Sequence, residues 1–173
     1  MTKKTSNVLP VDLRRFHHQG VTFRPDGPVI EIGSAPLLSY NPVERTPAIP
    51  VTARLFVGLS VGQEATWTID DVVRITKRVR VKQGAAQDSS FLLQRGVYTD
   101  NSQNIVDEDS VQVVIFDFAQ PPGFWRRVFF KRASVFESQM VELAETFVRE
   151  LRQETVYVDM QRAGVSYLVL KVT

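Results

Sequence analysis

Two stretches of this chain are apolar on both faces when written as extended strands. In "VQVVIFDF", Val111, Val113 and Ile115 point one way, and Val114, Phe116 and Phe118 point the other. "RLFVGLS", Arg54 to Ser60, sets Leu55, Val57 and Leu59 opposite Phe56 and Gly58. A strand with one wet face alternates apolar and polar residues, and loss of that alternation marks burial on both sides. Both stretches therefore belong in the middle of a sheet that needs a cover on each face.

The elements around them follow from spacing. "TIDDVVRITKRVRVKQG" places Ile69, Val72, Val73 and Val79 at helical intervals, with Thr68 and Asp71 as a capping box and Gly84 as a stop. "SFLLQRGVY" (Ser90 to Tyr98) and Val111 to Phe118 flank the polar turn "TDNSQN", the pattern of a hairpin. A second helix is predicted from Val135 to Arg152. Its stripe is Phe136, Met140, Leu143, Ala144, Phe147 and Leu151, and Ser134 with Glu137 forms its capping box. "TVYVDMQ" and "VSYLVLKV" alternate about Arg162-Ala163-Gly164. The order β-α-β-β-α-β with an appended C-terminal strand is the split β-α-β, or ferredoxin-like, arrangement of the α+β class. Both helices then lie on one face. The other face must be covered by N-terminal residues, a second copy or a ligand.

Seven of the nine prolines fall at positions 10, 25, 28, 36, 42, 47 and 50. They mark residues 1–53 as a proline-rich N-terminal arm, distinct from an α+β domain at 54–173. Within the arm, "VTFRPDGPVIEI" reads as two short extended pieces around a turn at Pro25-Asp26-Gly27. "SAPLLSYNPVERTPAIP" holds neither a helix nor a central strand, since each proline removes a donor and restrains its predecessor.

Composition narrows the chemistry. A net charge of +2 over 173 residues leaves any basic function to local clusters. The absence of cysteine removes disulfides, thiolate catalysis and cysteine-ligated metal. The opening "MTKKTSNVLPVDLRR" lacks the apolar core of a secretory signal, and no run approaches the roughly 18 apolar residues of a span. A cytoplasmic protein is expected. His17 and His18 are adjacent, with no carboxylates at ligand spacing, so no metal and no cofactor are predicted. Gly-x-Ser-x-Gly, a glycine-rich phosphate loop and HExxH are all missing. Glu108, Glu154 and Asp117 are the carboxylates that could act as a general base, but nothing in the pattern demands an enzyme.

Two clusters stand out. "PPGFWRRVFFKRASVF" joins the third strand to the second helix and carries no acid. Its Phe124, Trp125, Arg126, Arg127, Phe129 and Lys131 have the tryptophan and arginine content of interface centres, and the segment reads as a partner-contacting loop. Arg74, Lys77, Arg78 and Arg80 on the first helix, with Phe56 as a stacking residue, form a candidate nucleic-acid surface. Against it, the third strand lacks the basic-Gly-aromatic motif of RNA-recognition sheets. Glu137, Glu142, Glu145 and Glu150 on the second helix could also pair with those cations across a helix seam.

"LFVGLS", "GVY", "IVDEDSVQVVI" and "LRQETVYV" resemble, in order and spacing over about residues 54–160, a family of small uncharacterised bacterial proteins known only as a domain of unknown function. The resemblance implies a ferredoxin-like fold and supplies no activity. The functional expectation is a non-enzymatic interaction or assembly protein. It would self-associate through its sheet face or arm and contact a protein partner or a second copy of itself. The alternatives are a small-molecule binder or enzyme of the dimeric ferredoxin-like type, and an RNA-binding domain.

Overall fold

A computed structural model describes residues 13–33, 51–61, 64–84, 90–101, 106–117, 126–162 and 164–173. The two doubly apolar stretches lie side by side. Strand β3 (Val51–Gly58) pairs antiparallel with β7 (Val106–Asp117), Leu55 opposite Val113 and Val57 opposite Val111. Outside β7 come β6 (Phe91–Asp100), β2 (Val21–Ile32) and the short β1 (Phe16–His18). Outside β3 come β8 (Val156–Arg162) and β9 (Val165–Val172). The result is one seven-stranded antiparallel sheet of order β1-β2-β6-β7-β3-β8-β9. A small ribbon, β4 (Ser60–Val61) with β5 (Glu64–Ala65), follows β3 directly.

Helices α1 (Ile69–Lys82) and α2 (Arg126–Glu150) cover one face. Val72, Ile75 and Val79 of α1 and Phe136, Met140, Leu143 and Phe147 of α2 pack on Leu55, Val57, Val111, Val113 and Val158. The Thr68/Asp71 capping box forms as the sequence predicts, and Gly84 follows the helix with a φ of 77° that favours glycine. Helix α2 begins at Arg126, well before Val135, so Ser134 lies inside the helix instead of capping it.

The second face is closed by the sheet itself. In a flat sheet, β1 and β3 would stand four strand spacings apart, roughly 19 Å. Instead the Phe16 ring of β1 stacks on Phe56 of β3 at 4.4 Å and lies 6.4 Å from Tyr157 of β8. The sheet is rolled into a nearly closed, barrel-like layer. Phe16, Val21, Phe23, Phe56 and Tyr157 fill its interior, while Leu13 packs over Leu92, Val114 and Phe116. Gly96 permits the roll, since a side chain there would collide with the Phe23 ring and the Arg24 carbonyl.

The ferredoxin-like α+β expectation, four strands with an appended one and a proline-rich arm, is therefore corrected. Strands dominate, the sheet has seven of them and rolls towards closure, and residues 16–32 supply two. "VTFRPDGPVIEI" is one twelve-residue strand, not two pieces about a turn. The prolines are tolerated for a physical reason. β1 pairs only with Val21 to Phe23, so Pro25 and Pro28 face no partner on that edge, and the ladder to β6 carries an irregularity between Pro25 and Val29. Among the described residues no helix is long and apolar enough to cross a membrane.

Removing residues 1–33 takes away β1, β2 and the lining of the rolled face. The expected outcome is loss of cooperative thermal unfolding by circular dichroism. A truncated chain melting within a few degrees of the full one would show that these residues are an accessory arm after all.

Candidate functional site

Beyond the aromatic lining of the roll, polar groups converge where β3 runs out at Gly58. The Ser60 hydroxyl donates to Glu108 Oε1 at 2.9 Å. Gln153 Nε2 donates to the Ser60 carbonyl at 3.2 Å and to the Leu151 carbonyl at 3.1 Å. Gly58 makes room for both long side chains, because a Cβ there would collide with Gln153 Oε1 and Glu108 Oε1 together. Tyr98 stands directly across the β6–β7 ladder from Glu108. Its ring lies 6.3 Å from that of Tyr157, which pairs with Phe56 on β3.

The turn delivering Gln153 is unusual. After α2 the Gln153 N–H bonds back to the Val148 carbonyl, the long bond of a Schellman ending. The intervening left-handed position is Arg152, at φ 50°, where glycine is usual. The turn is braced by the Trp67 Nε1 donating to the Leu151 carbonyl at 2.9 Å, while the Trp67 N–H bonds the Leu59 carbonyl at 3.0 Å. A strained position held by its surroundings beside converging polar groups is a mark of a functional site.

Electrostatics single out Glu108. Burial pushes its carboxyl above the usual range, the Ser60 hydrogen bonds oppose this, and the carboxylates of Glu154 and Asp109 push the same way as burial. Among the described residues no cation lies within salt-bridge reach of it, since Arg95 pairs with Asp109 and Arg24 with Asp107 on the opposite face of β7. The Tyr98 phenol is raised far above its ordinary value, first by burial and then by Tyr157, Asp100 and Glu108. The Tyr157 hydroxyl is also raised, first by burial and then by Asp100, while its hydrogen bond with Tyr98 lowers it. The site thus combines a desolvated carboxyl, an amide and two tyrosines.

The residues singled out from sequence fall in several places. Glu108 and Glu154 come together here, whereas Asp117 closes the far end of β7 opposite Val51. Phe56 is 2 % exposed beneath Phe16, so it cannot stack on a base. Arg74 pairs with Asp71 within α1, Arg78 with Glu150 across the helix seam, and Lys82 lies 3.9 Å from Glu142. Arg80 bonds Gln83 and Gln139, and Lys77 is exposed on α1. These contacts use much of the cationic face without a ligand. Arg126, Arg127, Phe129 and Lys131 belong to α2 and not to a loop, while Phe124 and Trp125 lie outside the described residues. His17 Nδ1 lies 2.8 Å from the Thr22 hydroxyl oxygen in an exposed position. Sequence reading passed over Ser60, Tyr98, Gln153 and Tyr157, which had no motif to mark them.

No family profile and no curated protein matches the chain. Two solved structures do. A phage SAM lyase in complex with S-methyl-5'-thioadenosine is 36% identical, with a TM-score of 0.58, the match covering 75% of this chain and 94% of that one. The phage SAM lyase in its apo state gives 37% identity and a TM-score of 0.54, over 76% and 94% of the two chains. These likenesses overturn the reading of a ferredoxin-like, non-enzymatic interaction or assembly protein.

Two outcomes follow from the geometry. Glu108 ionises less readily in the fold than in the open chain, so the stability it withholds is nil well below pH 4.5 and grows as pH rises through and past that value. Glu108→Gln is expected to melt about 1–3 °C above the wild type at pH 8, converging at pH 4; a lower melting point at pH 8 would contradict this. Arg152→Gly is expected to stabilise by about 0.5–1 kcal/mol in denaturant titrations. An unchanged or lowered midpoint would show that the left-handed arginine carries no strain.

Proposed function

The chain belongs to the phage SAM lyase family, and from that premise we propose that it cleaves S-adenosylmethionine (SAM) to S-methyl-5'-thioadenosine without adding water. The observation that carries this reading is the agreement between the site and the substrate's charge. SAM bears a positive sulfonium and an ammonium group. The end of the roll offers a carboxyl and two aromatic rings, the groups that attract a buried cation, with no competing cation beside Glu108 among the described residues.

The chemistry asks little proton transfer of the protein. As the bond between sulfur and the four-carbon amino-acid chain breaks, its electron pair passes to sulfur, which leaves as a neutral thioether. That leaving group needs no acid. The electron-poor carbon is satisfied within its own fragment, by attack of the fragment's carboxylate oxygen, which closes a lactone ring and releases no proton. What remains for the enzyme is to hold the substrate in a reactive conformer and keep water away. The buried Tyr157 ring and the half-buried Tyr98 and Glu108 side chains provide the wall. Glu108 serves as the partner of a substrate cation, whose arrival favours the ionised carboxylate that burial disfavours. Gln153, whose two amide hydrogens go to the Ser60 and Leu151 carbonyls, offers its Oε1 as an acceptor that fixes orientation. Such an enzyme acts in the cytoplasm, where SAM is made.

The test is direct. Purified chain incubated with SAM is expected to release S-methyl-5'-thioadenosine, followed by liquid chromatography. Glu108→Gln is expected to lower kcat/KM by at least about tenfold, and Tyr98→Phe by a few-fold. No thioether from the wild type, or full activity in Glu108→Gln, would overturn the assignment.

A further inference from the structure

A second charged group lies inside the roll, away from Glu108. Arg54 and Asp159 are 4 % and 0 % exposed, and Nε and Nη2 of the arginine both donate to Asp159 Oδ2, at 2.9 and 2.8 Å. Asp159 also accepts from Gln161 Nε2 at 2.9 Å and from the Ser166 hydroxyl. A buried ion pair is a weak source of stability, since apolar residues of similar volume often serve as well. An apolar pair cannot, however, hold a backbone carbonyl by a directed bond. Arg54 Nη1 does so, donating to the Arg14 carbonyl at 3.2 Å. Its guanidinium carbon also lies 5.7 Å from the Phe16 ring centre and 5.5 Å from that of Phe56. One cation thus ties β3, β8 and the segment entering β1.

We infer that Arg54 is a positioning residue, which clamps residues 13–18 across the rolled face and seats Phe16 as the inner wall of the substrate site. The route to the site is short. Phe16 lies 6.4 Å from Tyr157, and Tyr157 lies 6.3 Å from Tyr98, which stands opposite Glu108 in the β6–β7 ladder. Arg54 and Asp159 each stand two residues from a ring of that layer, Phe56 and Tyr157, on the same face of their strands. A loosened Phe16 leaves Tyr157 without backing. The kinetic consequence rests on the lyase reading; the clamp itself does not.

The experiment uses the full chain. Arg54→Met leaves Asp159 buried without its cation and is expected to be poorly folded, so the informative variant is Arg54→Met/Asp159→Leu, which replaces the pair by apolar volume. Arg54→Lys, which keeps the charge but loses the fork, carries the test if the double variant fails to fold. Two readouts are taken from a variant whose melting point stays near that of the wild type. Arg14 and Arg15 are exposed, so trypsin reports the clamp through cleavage after them, followed by mass. Cleavage is expected to be at least tenfold faster in the variant. KM for SAM is expected to rise at least fivefold with kcat within about twofold, a split that general loss of structure does not produce. Unchanged cleavage overturns the clamp, and released residues 13–18 with wild-type KM overturn the positioning role. A wild type inactive on SAM defeats the lyase reading alone, and trypsin then decides the clamp.

Discussion

The structure depends on one constraint: β3 and β7 carry apolar side chains on both faces, and two helices shield only one. Val111, Val113 and Ile115 are met by the helices. Val114, Phe116 and Phe56 point the other way and are equally dry. Rolling answers this without a second layer, since strands at the margins of the sheet become the cover for its centre. The roll brings β1 over β3 and makes the interior aromatic. It also decides where a site can be. The aromatic lining gives way at Gly58 to Ser60 and Glu108, which are only partly buried, so the end of the roll is where a small charged molecule can reach polar groups without breaching the core.

Two carboxylates on the rolled face, Asp159 fully buried and Glu108 half-buried, show how partners separate anchoring from chemistry. Asp159 is met by a forked arginine, an amide and a hydroxyl, and it holds three pieces of chain in register. Glu108 has the Ser60 donors and like-charged neighbours in Glu154 and Asp109. A buried acid fully supplied with counter-charge has nothing left to offer a ligand. One left short of it is unstable by itself and improved by an arriving cation, which is why shifted carboxyls gather at functional sites.

Legibility in the sequence followed interaction range. Elements governed by near neighbours were readable. The Thr68/Asp71 box caps α1, Gly84 ends it, and the stripe from Phe136 to Leu151 is buried as its spacing predicts. The double burial of β3 and β7 was readable as well, and with it the need for a second cover. The identity of that cover was not. Prolines in "VTFRPDGPVIEI" argue against a strand unless one knows that its pairing with β1 reaches only to Phe23 and leaves the rest of that edge free. The helix starting at Arg126 was hidden by Ser134 and Glu137, a good capping pair that the chain does not use. Local signals misled where tertiary context supplied a stronger reason.

The site lay beyond reach for the same cause. Ser60 and Glu108 are 48 residues apart, Gln153 and Ser60 are 93 apart, and Arg54 and Asp159 are 105 apart. None of these pairs leaves a motif, because motifs record residues that share one turn or one strand. What could have found them is register. Once Gly58 is set opposite Ser110 in the β3–β7 ladder, Glu108 is carried past the end of β3 on the rolled face, where Ser60 continues the chain. The same ladder sets Tyr98 across from Glu108, and the β3–β8 ladder sets Arg54 across from Asp159. A glycine at the last position of a strand buried on both sides has no packing reason to be small. It is small because two long side chains from elsewhere in the chain need its space, and that vacancy is the trace of the site in β3 itself.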